Sequence, residues 1–259
     1  MESVIKMNAV AALKLRKTEQ ACANNSVESS QVDRITPPLK GGGLVLLALL
    51  GMAVVAWATP LAGEAWEYDR EAILNGEWGR LLTGHLTHWN FDHLFWDAAT
   101  FLLLGVACMW RSVGRTVATL LGSAAAISAS LLLFQPEMAT YRGLSGLDSA
   151  LFTLLAAMIW RESQRDGRWK LGAVAITAGA AFLAKAAYES ATGTTLFVDS
   201  SAAGFIPLAS AHLIGGAVGA IVGLSGRATL ARTSEGAIDQ CRAGRFKEGR
   251  NALSKTPFR

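Results

Sequence analysis

The chain has 259 residues, 51% of them hydrophobic and only 17% charged, which is too apolar and too sparsely charged for an ordinary soluble domain. Its formal charge of +4 comes from basic residues that flank apolar runs, where they would face anionic lipid, so no nucleic-acid partner is needed to explain them. The composition predicts an all-α, polytopic membrane protein seated in a lipid bilayer.

Residues 1–43 are polar and of mixed charge, with no apolar core leading into a small-residue cleavage site, so they read as a retained cytoplasmic segment rather than a removable signal. Apolar runs long enough to cross about 30 Å of hydrocarbon then follow at 44–63, 93–110, 116–134, 144–160, 171–188 and 202–224. They predict a six-helix membrane domain over 44–225. The last segment, 226–259, is a basic cytoplasmic tail that reads equally as a surface amphipathic helix or as a disordered stretch. Cys22, Cys108 and Cys241 are scattered and show neither a disulfide nor a metal-binding spacing.

Of the 24 Lys and Arg residues, 20 fall in the two terminal segments and in the connections after the second and fourth runs. Arg70, Arg80, Arg142 and Lys185 lie on the other side, with Glu64, Glu67, Asp69, Glu71 and Glu77. The positive-inside rule then predicts that both termini are cytoplasmic.

Polar groups inside spans are costly and mark functional candidates. Counted upward from the cytoplasmic boundary at about 1.5 Å per residue, Ser145 stands roughly 24 Å above Arg161 and His212 roughly 23 Å above Arg227. On the second run, Asp97 and His93 stand roughly 21 and 27 Å above Arg111. Four polar side chains on three helices thus share one level in the outer half of the bilayer. Gly143 and Gly146 make the approach to Ser145 irregular, so the fourth helix is expected to start below the outer surface, with its backbone N–H groups turned toward a developing oxyanion. Irregular backbone at that depth must be covered or line a cavity, and residues 134–143 are the expected wall.

A serine between glycines is usually a small packing residue in a membrane helix. Its partner alters that reading. His212 sits in "ASAHLIGGAVGAIVG", where Gly215, Gly219 and Gly223 form a ridge of small residues that allows a partner helix close approach. If the partner is the fourth span, a histidine meets a serine and can activate it by taking its proton. The stretch "GHLTHWNFDH" offers a rival, with His85, His88 and His93 beside Asp92 or Asp97 as metal ligands. The spacings put His88 and His93 on different faces of one helix, and no His-Glu-x-x-His motif is present, so no metal is expected. Trp78 and Trp89 read as interfacial aromatic residues, and Lys185 as a side chain snorkelling to the outer surface.

Three motifs in order, "WGRLLTGHLTHWNFDHLFWD", "GLSG" and "AHLIG", make residues 44–225 resemble the rhomboid family of intramembrane serine proteases, and among them the bacterial rhombosortase-like branch. The resemblance implies a six-helix bundle and a Ser145–His212 dyad without an obligatory acid. It also implies that His93 and Asp97 support an oxyanion site with the Ser145 backbone N–H beside Gly143, and that Trp78 and Arg80 belong to the first loop. No cofactor is implied. Substrates would be single-span membrane proteins, including those with glycine-rich carboxy-terminal anchors, cut near the outer face of a bacterial inner membrane. Two positions depart from the family pattern: Asp97 stands where asparagine is usual, and Ser149 where an aromatic residue usually packs beneath the histidine. Asp97 can act either as an anion that holds His93 or as a neutral donor replacing asparagine. A different class of function, an inactive rhomboid-like protein that binds membrane helices, would be marked by loss of Ser145 or His212, and both are present.

Overall fold

A computed structural model describes residues 42–194 and 208–225. The polar amino-terminal segment, the first part of the expected sixth span and the basic tail lie outside the described residues.

The protein is mostly helical. Helix α1 (Gly42–Ala58) stops before Thr59, whose extended backbone precedes Pro60, and α2 (Pro60–Trp66) leaves at 115° to it. Proline disfavours helical backbone in the residue before it and has no N–H for the helical ladder, so the expected run over 44–63 breaks at 59 instead of continuing straight. A short strand, β1 (Tyr68–Asp69), leads into two small helices, α3 (Arg70–Leu74) and α4 (Arg80–Thr83), and a 3-10 turn at Gly84–Leu86. Helix α5 (Phe91–Arg111) is capped by Asn90, whose side chain accepts from the His93 backbone N–H at 2.8 Å. Ser112 ends α5 and caps α6 (Val113–Phe134) in one residue.

Strand β2 (Thr140–Tyr141) pairs antiparallel with β1, Tyr68 opposite Tyr141, and ties the first loop to the approach of α7 (Ser145–Asp166). Helix α7 ends at Gly167, whose φ of 64° is the left-handed cap glycine adopts readily, and α8 (Trp169–Thr192) ends in the same way at Gly193. Helix α9 (Ala209–Leu224) completes the described bundle.

Helix α7 is central, packed against α5, α6, α8 and α9. Its Leu147, Leu151 and Leu154 join Leu94 and Phe101 of α5 in one buried cluster, while Tyr68, Ile73, Ile127, Leu131, Tyr141 and Ala211 form a second beneath the loops. Outward-facing Leu103, Leu133 and Leu183 are exposed, as side chains that meet lipid rather than water would be.

Among the described residues, α5, α6 and α8 are long and apolar enough to cross a membrane, and the bent α1–α2 pair makes a fourth if counted as one span. The chain is therefore a membrane-embedded helical protein. Helix α7 carries Asp148, Arg161 and Glu162, and α9 has 16 residues where a straight crossing takes about 20.

Candidate active site

Ser145 is the first residue of α7, so its backbone N–H is among those with no partner inside the helix. The approach is held on both sides. Tyr141 donates its hydroxyl to the Gly143 carbonyl at 3.2 Å, and burial together with the charges of Asp97 and Asp148 pushes the Tyr141 pKa up, keeping it a donor. Arg142 donates to Glu67 Oε2 at 2.8 Å, and its guanidinium lies 4.6 Å from the centre of the Trp89 ring. Trp89 is thus part of the support of this loop. Gly143 has φ of +126°, and a Cβ there would stand 3.0 Å from the His93 ring and 3.4 Å from Asp97 Oδ2. Only glycine combines that backbone with that closeness.

His212 reaches Ser145 because α9 lies against α7 without intervening side chains. A Cβ on Gly215 would run into the Gly146 carbonyl, one on Gly219 into the Ala150 carbonyl, and one on Gly223 into the Ala157 side chain. At that separation His212 Nε2 lies 3.0 Å from Ser145 Oγ. The other ring nitrogen, Nδ1, lies 3.0 Å from Glu189 Oε2, and Lys185 Nζ donates to Glu189 Oε1 at 2.6 Å. An ionised carboxylate can only accept, so Glu189 assigns the ring proton to Nδ1 and leaves Nε2 as an acceptor for the Ser145 hydroxyl. Lys185 therefore turns to Glu189 instead of simply snorkelling outward.

Next to this line lies a second polar cluster. Asp97 Oδ2 is 3.4 Å from His88 Nε2 and 3.3 Å from His93 Nε2, and all three side chains are buried. Gly143 connects the cluster to the serine, two residues away. His85 turns away from His88 and His93 toward α6, with Nε2 3.2 Å from the Ala124 carbonyl and 3.1 Å from Ser128 Oγ. Burial pushes its pKa down to about 4, so it is neutral at ordinary pH and links the first loop to α6. Among the described residues no group of three or more His, Cys, Asp and Glu side chains stands where it could hold a metal ion. Arg80 donates to the Glu64 and Glu67 carbonyls, pinning the first loop. Trp78 is exposed, and Ser149, in place of an aromatic residue, donates to the Ser145 carbonyl at 2.9 Å.

The structure thus brings together Ser145, His212, Gly143, His93 and Asp97, and adds Glu189 and the buried Asp148, neither of which was singled out from sequence. Glu189 was within reach of the depth count: it stands 19 residues above Lys170, about 28 Å, at the level of the other candidates. Ending the fifth apolar run at 188 leaves it just outside the span, although α8 continues to Thr192.

Comparison with protein-family models and with curated proteins finds no match to this chain.

Proposed function

We propose that this chain is a rhomboid-type intramembrane serine endopeptidase. Ser145 Oγ attacks the carbonyl carbon of an unwound segment of a substrate helix while His212 Nε2 takes its proton. The tetrahedral oxyanion is met by the Ser145 backbone N–H at the start of α7, with the His93–Asp97 pair beside Gly143 in support. Collapse breaks the C–N bond, His212 returns the proton to the leaving amine, and the acyl ester on Ser145 remains. Water, deprotonated by the same histidine, then releases the second product and restores the serine.

The observation that carries this reading is the 3.0 Å approach of His212 Nε2 to Ser145 Oγ at a half-buried helix start. A hydroxyl packed only for its size does not call for an imidazole whose second nitrogen is itself held. The finer reading follows the resemblance: six spans over 44–225, both termini cytoplasmic, a site opening toward the outer face of a bacterial inner membrane, and single-span substrates that include glycine-rich carboxy-terminal anchors.

A fluorophosphonate probe tests the nucleophile directly. Incubated with the purified full-length protein in detergent, it should form an adduct that peptide mass spectrometry places on Ser145, and His212→Ala should reduce that labelling by 100-fold or more, as loss of a general base does (about 100- to 10,000-fold). Labelling indifferent to His212, or confined to other serines, would remove the catalytic reading in favour of a protein that only binds helices.

A further inference from the structure

We infer that Glu189 is a positioning residue that completes a Ser145–His212–Glu189 relay inside the membrane, with Lys185 as its counter-charge; the inference rests on the protease reading above. Where the resemblance implies a dyad with no obligatory acid, this chain supplies an acid from a fifth apolar helix.

The placement of Glu189 is hard to explain as a surface ion pair. Its side chain is 1% exposed, while that of its partner Lys185 is 28% exposed, so the carboxylate has turned inward and taken the ammonium with it. A buried carboxylate is costly unless its oxygens are satisfied. Each oxygen has its own partner: Oε1 accepts from Lys185 and Oε2 faces His212 Nδ1. Lys185 alone would account for one oxygen and for no contact with α9. The second contact falls on the atom that decides which tautomer His212 adopts, and that tautomer decides whether Nε2 can take a proton from Ser145. Lys185 and Glu189 are four residues apart on α8, so one helix face carries both charges and holds the carboxylate in place.

Charge balance gives the inference a signature that mere packing would lack. An anion 3.0 Å from the ring favours imidazolium, and the ammonium on its far side opposes this. Among the described residues, the Ser145 hydroxyl of α7 and Gln135 at the end of α6, whose amide donates to Ser210 Oγ, also face this end of α9. Removing the charge of Glu189 should therefore move the acid limb of kcat/KM to lower pH, and removing that of Lys185 should move it to higher pH.

The test uses the full-length protein in proteoliposomes with a single-span reporter, comparing wild type, Glu189→Gln, Glu189→Asp, Lys185→Met and Ser145→Ala over pH 5–9. Glu189→Gln is expected to lower kcat by about 100- to 10,000-fold with KM nearly unchanged, as when an acid that sets a catalytic histidine's tautomer becomes an amide. Glu189→Asp should recover part of that loss, and the two limb shifts should run in opposite directions. Activity of Glu189→Gln within threefold of wild type, while Ser145→Ala is dead, would overturn the role of Glu189 and leave the protease reading standing. An inactive wild type, or an active Ser145→Ala, would remove the protease reading itself. If Glu189→Gln does not fold, Lys185→Met decides: an upward shift of its acid limb supports the relay, and an unmoved limb overturns it.

Discussion

A single oxygen of Asp97 stands between the Nε2 atoms of His88 and His93, 3.4 and 3.3 Å away, where an ionised carboxylate would face both rings. Protonated, Asp97 could donate to only one of them. On the proposed function, Asp97 as an anion would orient His93 beside Gly143, whereas as a neutral acid it would act as an asparagine does. With the anion, Asp97→Asn should weaken the support of the oxyanion site and lower turnover by up to about 100- to 1000-fold. Rates equal to or above wild type from pH 5 to 9 would make Asp97 a protonated stand-in for asparagine. At this scale much of the candidate site was legible: depth counting put Ser145, His212, His93 and Asp97 at one level, because a costly polar group in a span needs a reason. Glu189 was not, because hydropathy alone ended its helix at residue 188, four residues short of Thr192, although the Lys185–Glu189 spacing of four and its depth were both in the sequence. The partner of His212 Nδ1 depended on how α8 and α9 lie together, which no local pattern states.

Between elements, the site depends on two kinds of contact. Glycines of α9 against backbone carbonyls of α7 bring the histidine to the serine, and that ridge was readable as a spacing of four. The first loop, by contrast, is fastened by pairings between residues about 40 to 75 apart, such as Tyr68 with Tyr141, Glu67 with Arg142 and His85 with Ser128, which sequence periodicity cannot reveal. His85 gives this fastening a pH dependence. Its folded pKa of about 4 lies below the ordinary 6.5, so between those values the unfolded chain binds a proton that the folded chain refuses. Stability is then full above about pH 6.5 and falls as the pH drops toward 4, by about 3 kcal/mol at most. Thermal unfolding in detergent should show a lower midpoint at pH 4.5 than at pH 7, with the difference reduced in His85→Gln. An equal pH difference in that variant would assign the effect to other groups. The break at Pro60 belongs to the same scale: composition predicts a crossing over 44–63, but the backbone preference of a residue before proline ends α1 and turns the chain into the first loop.

Over the whole molecule, apolar composition and run length were enough for a membrane-embedded helical protein, and α5, α6 and α8 are its clearest spans. The exact number of crossings was harder to read, because the helices that carry the site pay for it in hydropathy and length: α7 includes charges and starts at Ser145, and α9 is short. Those same features let a helix start, a histidine and a buried carboxylate meet within one hydrophobic domain. If Ser145 and His212 are one catalytic unit in that setting, their losses must not add. The most direct measurement is the cleavage rate of a single-span reporter in proteoliposomes by wild type, Ser145→Ala, His212→Ala and the double variant. Each single variant should lose about as much activity as the double, with kcat down by roughly 10,000-fold or more. Cleavage by Ser145→Ala at the wild-type rate, or multiplicative losses in the double variant, would contradict a serine activated by this histidine.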